Sequence, residues 1–208
     1  MNKKKVVILG ASGFAKEILS FLESSEVYEA VGFIDNDPSA KGKEINGKPV
    51  LGGDDILPEL KKNNVSGAFI AIGHIPVRKK LFEKITALGF EAISIISPSA
   101  VIAKNVQIGK AVVIYPNVTV NTNVRIGNGV LINSNASVGH DTQIGDFVTI
   151  NPGANVAGNV KINTGAYLGI GSNVLENLTI GEGVVVGGGA LVRTDIAAGM
   201  KVVGVPAR

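Results

Sequence analysis

The last hundred residues of the chain carry an aliphatic residue at every sixth position. From Ile102 to Val192 the spacing is unbroken, and all sixteen positions are isoleucine, valine or leucine. Ile96 extends the series one unit backwards, and a second apolar or small residue follows four positions after each aliphatic. A period of six predicts one short strand and one corner per unit, so that three units close a triangular coil of eighteen residues. The sequence therefore predicts a parallel β-solenoid with stacked aliphatic side chains inside.

The residues expected at the corners fit this prediction. Three positions after each aliphatic residue, from 105 to 189, thirteen of fifteen residues are Gly, Asn or Asp, and the exceptions are Ala111 and Phe147. Gly, Asn and Asp tolerate a positive φ better than other residues do. Each unit is therefore predicted to turn through a left-handed backbone conformation. The period alone allows either hand for the solenoid.

The first ninety-five residues show a different pattern, in which apolar strands alternate with amphipathic helices. The predicted elements are strands at 6–9, 30–34 and 68–72, helices at 14–24 and 77–88, and a short helix that Asp54 caps and that runs to about Lys62. This alternation predicts an α/β domain with a small Rossmann-like parallel sheet. The expected domains are 1–95 for the sheet, 96–197 for the solenoid and 198–208 for a C-terminal tail.

Composition excludes several classes of function. The chain has no cysteine, which excludes disulfides, thiolate metal sites and thiol nucleophiles. It has two histidines, too few for a site built on three, and we expect no metal. A net charge of +3 is too small to argue for binding to nucleic acid. The apolar run at 6–9 is too short for a signal or membrane span, so we expect a cytoplasmic protein.

One histidine of the solenoid stands where chemistry is possible. His140 lies two positions after Val138, so its side chain is predicted to project outward at a corner. Asp141 follows in the left-handed position, and Asn133 lies one edge earlier. Imidazole titrates near pH 6.5, which suits a general base. From spacing alone, His140 could equally be an exposed residue without a role in chemistry. Asp141 could be a residue that only shapes the corner.

The strand ends of the N-terminal domain carry a second group of residues. The turn Gly10-Ala11-Ser12-Gly13-Phe14 joins a strand to a helix, and its small residues allow a phosphate close to the backbone. Asp35, followed by Asn36, ends the second strand, where an acidic residue can hold a ribose hydroxyl. Gly73 and His74 end the third strand at the same edge. Each motif alone also fits an ordinary turn, and Arg78 fits either a phosphate ligand or a solvated helix start.

The combination of these features resembles one family. A strand, the Gly10–Gly13 turn, a helix, a strand ending in Asp35, the Ile72-Gly73 strand end and a hexapeptide solenoid closing in Gly204-Val205-Pro206-Ala207-Arg208 are similar to the bacterial hexapeptide-repeat sugar O- and N-acyltransferases. That group includes sialic acid O-acetyltransferase and the UDP-4-amino-sugar N-acetyltransferases of bacillosamine synthesis. The resemblance covers essentially the whole chain and implies a left-handed parallel β-helix.

The resemblance also implies a site and an assembly. It implies a homotrimer with active sites between subunits, in which the N-terminal domain holds a nucleotide-sugar and the neighbouring prism holds acetyl-CoA. His140 would be the general base, Asp141 would orient its ring, and Asn133 would lie near the reacting sugar carbon. The implied nucleotide-sugar residues are Gly10, Ser12, Gly13, Phe14, Asp35, Asn36, Gly73 and His74. The implied acetyl-CoA residues are Thr149, Gly158, Ile170, Gly188 and Pro206.

Three departures from the family concern the site. Many relatives have His where Phe14 stands, the acidic partner is often Glu rather than Asp141, and a relative can have a further His where Thr149 stands. The expected reaction is acetyl transfer from acetyl-CoA to the 4-amino group of a nucleotide-linked deoxy sugar, with UDP as the expected nucleotide. The alternatives are O-acetylation of sialic acid or of a polysaccharide hydroxyl, and a non-catalytic trimer that binds nucleotide-sugar.

Overall fold

The computed structural model describes residues 3–208 and divides into two units, the first ending at Ser94 and the second spanning Ile95–Arg208. The first unit contains a sheet of β1 (Lys4–Leu9), β2 (Tyr28–Ile34), β3 (Glu44–Ile45), β4 (Lys48–Gly52), β5 (Gly67–Ile70) and β6 (Glu91–Ala92). Its helices are α1 (Gly13–Glu23), α2 (Leu57–Lys62) and α3 (Ile75–Ala87), with 3₁₀ turns at Pro38–Ala40 and Asp54–Ile56. Within residues 3–208, no helix is both long enough and apolar enough to cross a membrane.

The order of the strands creates a crevice at one edge of the N-terminal sheet. The order is β3-β4-β2-β1-β5-β6, and all pairs are parallel except β3 with β4. The chain moves from β1 to β2 on one side and later returns to β5 on the other side of β1. Such a reversal separates the connections that leave β1 and β5, so open parallel sheets bind ligands there, outside the carboxyl ends of their strands.

Packing in the first unit follows the predicted hydrophobic pattern. α1 buries Ala15, Ile18, Leu19 and Leu22. Val7 and Leu9 of β1 belong to a cluster with Leu81 and Ile85 of α3, while Val6 and Ile8 alternate with them and are also fully buried. Both faces of the central strand are therefore covered, which explains its unbroken apolar sequence. The predicted strands and the two longer helices are confirmed to within two residues at each end.

Two features of the first unit differ from expectation. The hairpin of β3 and β4 was not predicted, although Asn46 and Gly47 at its tip have φ of 46° and 77°, as a two-residue turn between antiparallel strands requires. The prediction that Asp54 caps a helix is wrong. Gly53 occupies the cap position of the 3₁₀ turn and Ile56 that of α2, both without a side-chain bond. The Asp54 carboxylate pairs with Lys84 instead, at 3.0 Å.

The second unit is a left-handed parallel β-helix with three sheets. Each of its strands is two residues long, and strands eighteen residues apart pair in parallel. The seven-strand face holds β7 (Ile95–Ile96), β10 (Val113–Ile114), β13 (Leu131–Ile132), β16 (Thr149–Ile150), β19 (Tyr167–Leu168), β22 (Val185–Val186) and β24 (Lys201–Val202). The six-strand face holds β8 (Val101–Ile102), β11 (Thr119–Val120), β14 (Ser137–Val138), β17 (Asn155–Val156), β20 (Asn173–Val174) and β23 (Leu191–Val192). The five-strand face holds β9 (Gln107–Ile108), β12 (Arg125–Ile126), β15 (Gln143–Ile144), β18 (Lys161–Ile162) and β21 (Thr179–Ile180).

The corner prediction is confirmed at every position. All fifteen residues from 105 to 189 have φ between 54° and 70°, including Ala111 and Phe147. The aliphatic positions from Ile114 to Val192 are buried. At the start of the stack, Ile96 is 43% exposed because it has no preceding coil beneath it. Two sets of stacked positions therefore define the β-helix. One is the buried aliphatic residues, and the other is the corner residues with positive φ.

A pair of glycine substitutions distinguishes the steric need for glycine between coils from the need for a positive φ at a corner. Gly169→Ala adds a Cβ that would lie 2.6 Å from the Gly188 nitrogen of the next coil, whereas Gly183, with φ of 64°, has open space around its Cα. We expect Gly169→Ala to lower the free energy of unfolding by about 2 kcal/mol. Gly183→Asn, although larger, should change it by less than about 0.5 kcal/mol, because asparagine tolerates this conformation. Urea denaturation measures both, and equal losses would contradict the steric account.

Candidate active site

His140 and Asp141 occupy one corner of the β-helix, between β14 of the six-strand face and β15 of the five-strand face. His140 Nδ1 lies 2.7 Å from Asp141 Oδ2, and the two side chains are 63% and 51% exposed. The adjacent positions meet because the left-handed backbone of Asp141, with φ of 59°, turns its side chain back towards the preceding residue. The predicted outward projection of His140 is therefore what the structure shows.

The hydrogen bond defines which nitrogen of His140 is basic. Hydrogen bonds to the Asp141 carboxylate, first from His140 and then from Asn123, lower the pKa of that carboxyl below its usual value. An ionised carboxylate is only an acceptor, so Nδ1 carries the proton when the imidazole is neutral. Nε2 then has a free lone pair, and among residues 3–208 it has no hydrogen-bond partner. The pair is thus arranged to accept a proton at Nε2.

A ladder of corner residues holds Asp141 in place. Asn123 stands one coil before it in the same corner position, and its Nδ2 donates to Asp141 Oδ1 at 3.0 Å. The two carboxylate oxygens therefore have separate partners, one in the ladder and one in the imidazole. Asn159 and Asn177 continue the column, joined by a bond of 2.7 Å. Asn123 was not among the predicted site residues, although its position eighteen residues before Asp141 could have identified it.

Gly158 lies at the same corner one coil after His140. A Cβ at Gly158 would lie 2.6 Å from His140 Nε2 and 2.7 Å from Cε1. The absence of a side chain at this position leaves room for the imidazole above it. The backbone of Gly158 is also the protein surface next to the basic nitrogen.

Asn133 lies on a different corner from His140, between β13 and β14. Its Nδ2 donates to the Ile150 carbonyl at 3.1 Å, as Nδ2 of Asn151 donates to the Leu168 carbonyl and Nδ2 of Asn163 to the Ile180 carbonyl. This recurring bond gives Asn133 a structural role in its own corner. Within one chain the structure does not bring Asn133 to His140, and its role near the sugar stays a prediction.

The residues expected at acetyl-CoA lie on several parts of the β-helix. Ile170, which is 65% exposed, and Gly188 follow one another on the corner that also carries Asn133. Thr149 lies in β16 on the seven-strand face and is 4% exposed. Pro206 lies in a C-terminal loop in which Val203 and Arg208 exchange backbone hydrogen bonds. Of the five residues, only Gly158 shares the corner of His140.

The corner also borders an open groove along the five-strand face. The groove has a volume of about 450 Å³. Its lining is polar and consists of Asn105, Gln107, Asn123, Arg125, Asp141, Gln143 and Asn159. An open groove beside the His140–Asp141 pair provides space for a ligand or for another polypeptide chain.

A separate crevice lies in the first unit, at the carboxyl ends of the strands where their order reverses. It has a volume of about 350 Å³ and is lined by Leu9, Gly10, Ile34, Asp35, Asn36, Asp54, Ile72, Val77, Lys80 and Leu81. Three of the predicted residues, Gly10, Asp35 and Asn36, therefore lie together. Val77 and Lys80 were not predicted as lining residues, because helix periodicity does not show which turn of α3 faces a strand end. Asp54 was not predicted either, since it was expected to cap a helix.

The glycines at this edge differ in what the fold requires of them. Gly10 has φ of 107°, and a Cβ there would lie 2.8 Å from the Ala71 carbonyl oxygen, so packing demands glycine. Gly13 and Gly73 have ordinary φ and no atom within 4 Å of an added Cβ. The fold does not need glycine at these two positions, and both leave the backbone open to a ligand.

Three further predicted residues flank these glycines. Ser12 is exposed at the N-cap of α1, and its hydroxyl makes no capping bond. His74 is exposed at the N-cap of α3. The Phe14 ring stands edge-on against Phe69 at 6.3 Å, which gives it a packing role that the sequence analysis did not expect.

Arg78 was expected to be either a phosphate ligand or a solvated residue at the start of a helix. It is neither, because its side chain is buried and its guanidinium bonds to the protein. It is 1% exposed, and its Nη1 donates to the Ile72 and Gly73 carbonyl oxygens at 3.4 and 3.2 Å. Burial lowers the pKa of Arg78 to about 10, so it remains charged at neutral pH. Arg78 thus holds the loop that follows β5, at the rim of the crevice.

Profiles of known protein families match parts of both units. The profile described as the PglD N-terminal domain matches residues 5–85, and that described as bacterial transferase hexapeptide (six repeats) matches residues 123–158. A search of curated proteins gave no match.

Solved structures similar to this chain over its whole length include acetyltransferases. A histidine-to-asparagine variant of perosamine N-acetyltransferase from Caulobacter crescentus, in complex with CoA and GDP-perosamine, is 33% identical, with 98% of this chain and 95% of that chain covered and a TM-score of 0.92. The acetyltransferase domain of PglB from Neisseria gonorrhoeae, in complex with acetyl coenzyme A, is 31% identical, with 100% and 99% covered and a TM-score of 0.90. WeeI from Acinetobacter baumannii is 34% identical, with 98% of each chain covered and a TM-score of 0.87.

These similarities extend over the whole chain and not over the β-helix alone. The chain belongs to the family of bacterial hexapeptide-repeat sugar acyltransferases that carry a PglD-type N-terminal domain. It is an acyltransferase, and the resemblance inferred from the sequence is confirmed.

Proposed function

We propose that this protein transfers the acetyl group of acetyl-CoA to the 4-amino group of a nucleotide-linked deoxy sugar. The observation that carries the proposal is the His140–Asp141 pair, which presents a basic Nε2 on an exposed corner beside a groove. Relatives that act on sugar amines support N-acetylation, since perosamine N-acetyltransferase is among the similar structures. O-acetylation of a sugar hydroxyl has no comparable support.

The reaction needs a base and a site that positions two substrates. The amine nitrogen attacks the thioester carbonyl carbon, and Nε2 of His140 accepts the proton that the nitrogen loses. The carbon–sulfur bond then breaks, and the imidazolium returns the proton to the departing sulfur, so that an amide and CoA thiol form. Asp141 stabilises the imidazolium and keeps the ring in the required tautomer. Acetyl-CoA is already activated, so no nucleophilic side chain is needed.

The crevice of the first unit is proposed as the nucleotide-sugar site. Asp35 has one oxygen engaged by the Asp37 amide, at 2.9 Å, which leaves the other for a ribose hydroxyl. Gly13 and Ser12 at the start of α1 offer a phosphate site next to it. UDP is the expected nucleotide, and GDP is its main rival because the Caulobacter relative is in complex with GDP-perosamine.

Acetyl-CoA and a further subunit complete the proposed site. Gly158, Ile170, Gly188, Thr149 and the Pro206 loop are proposed to line the coenzyme. They lie on more than one corner and face of a single β-helix, which supports a coenzyme site shared between chains. We therefore propose a homotrimer with active sites between subunits, in which each ligand would meet different faces of two neighbouring β-helices.

Thiol release from acetyl-CoA across a panel of UDP-, GDP-, CMP- and dTDP-linked sugars tests the function directly. We expect turnover with an amino sugar, a product heavier by one acetyl group, and an amide that resists mild base. His140→Ala should lower kcat by at least about 100-fold, since general base catalysis contributes that much.

Thr122→Ala is the matched control for the histidine variant. Thr122 occupies the same corner position one coil earlier, and within residues 3–208 its hydroxyl bonds only to the Lys104 carbonyl, at 3.0 Å, and to the Asn123 side chain. This variant should keep the wild-type rate. If His140→Ala retains a rate within a factor of two of wild type, the proposed mechanism is wrong.

Asp141→Asn isolates the charge of the carboxylate from the shape of the corner. Asparagine already occupies the equivalent corners at Asn123 and Asn159, with φ of 61° and 57°, so the fold should tolerate the change. We expect kcat to fall about 10- to 100-fold, because the imidazolium loses its counter-charge and the tautomer is no longer fixed. KM for acetyl-CoA should not change.

Asn177→Asp, two coils further along the same column, serves as the control for charge at this corner. Steady-state kinetics at saturating substrates measures both variants, with thermal denaturation confirming that they fold. A wild-type kcat for Asp141→Asn would mean that Asp141 only shapes the backbone.

A further inference from the structure

Asn36 is held in one orientation at the rim of the N-terminal crevice. Its Oδ1 accepts a hydrogen bond from the Asp54 backbone amide at 2.8 Å. The fit is close, since a Cβ at Gly53 would lie 2.8 Å from the same oxygen. Over residues 3–208, Asn36 Nδ2 donates to no protein atom. The Asp54 backbone therefore fixes the amide with its oxygen towards the protein, and the two N–H donors are the groups of Asn36 that the described residues leave unengaged.

The surroundings of Asn36 fit a flat heterocycle. The crevice walls are largely aliphatic, from Leu9, Ile34, Ile72, Val77 and Leu81. Its volume of about 350 Å³ is in the range of small-molecule sites. Apolar walls with a few oriented polar groups bind a ring by its faces and read its edge.

The other charged groups of the crevice do not change what Asn36 offers. Lys80 contributes only donors. Asp54 is paired with Lys84 at 3.0 Å through Oδ2, and Asp35 accepts from the Asp37 amide. The acceptors are thus partly engaged by the protein, whereas the Asn36 donors are not.

We propose that Asn36 is a specificity-determining residue that selects nucleobases with a ring carbonyl over those with an amino group in its place. Uracil, like thymine, presents an O4 acceptor, and guanine presents an O6 acceptor, whereas cytosine and adenine present amino donors there. An amino group facing the Asn36 amide would leave donors opposed, without an acceptor between them. The inference rests on the proposed function, because it assumes that the crevice holds the nucleotide.

UDP and CDP form the sharpest test, since they share ribose and diphosphate and differ only at the edge of the base. Calorimetry with the full-length protein should show UDP binding about tenfold or more tightly than CDP, and GDP more tightly than ADP by a similar factor. Equal dissociation constants for UDP and CDP would overturn the inference while leaving the nucleotide site intact. Failure of every nucleoside diphosphate to bind would overturn the proposed function as well.

Asn36→Asp then tests the residue itself. The carboxylate can still accept from the Asp54 amide, but it replaces the donors by an acceptor. The ratio of the CDP to the UDP dissociation constant should fall to one or below. Repulsion between the new charge and the diphosphate weakens both ligands equally and cancels in this ratio. Asn46→Asp, at the tip of the exposed hairpin, adds the same charge to the unit and should leave the ratio unchanged. A variant ratio equal to that of wild type would assign Asn36 to the sugar or phosphate instead of the base.

Discussion

The left-handed corner is the constraint on which the β-helix and its proposed catalytic pair depend. The backbone turns a corner every six residues, and at fifteen consecutive corners it does so with a positive φ. Every third corner falls at the same place on the β-helix, eighteen residues further along the chain. Side chains at equivalent positions therefore form columns in register. His140 owes its outward position to this geometry, and Asp141 owes to it both the turn towards the imidazole and the ladder contact with Asn123. The proposed catalytic pair therefore stands in a column whose other corner residues, Asn123, Asn159 and Asn177, bond to Asp141 or to one another.

In the N-terminal unit, the order of the strands brings the residues of the crevice together. Its sheet brings β1, β2 and β5 side by side, and residues from their carboxyl ends meet in one crevice because the strand order reverses there. Arg78 is buried beneath the rim and holds the loop after β5 through two carbonyl oxygens. In the proposed function, the N-terminal unit binds the nucleotide at the carboxyl ends of its strands. The second unit provides the base for proton transfer at a corner of the β-helix.

Much of this architecture could be predicted because it is periodic. The six-residue repeat predicted the strands and corners of the β-helix and the outward projection of His140. The alternation of apolar runs and amphipathic segments predicted β1, α1, β2, β5 and α3. The structure departs from the predictions where a side chain forms a specific contact outside its own helix or strand. Asp54 caps no helix because Lys84 and Asn36 engage it, and Arg78 turns inward to the carbonyls of residues six and five positions earlier. Asn133 resembles other corner asparagines in sequence, and its bond to Ile150 shows the same role in structure.

The most direct test of the central claim is a crystal structure of the protein with CoA and an amino-sugar nucleotide. The account predicts that Nε2 of His140 lies within about 3.2 Å of the acceptor nitrogen, with the CoA sulfur on the other side of that nitrogen. The Asp141 carboxylate should remain bonded to Nδ1. An acceptor nitrogen and a CoA sulfur that both lie far from this imidazole would contradict the assignment of His140 as the base.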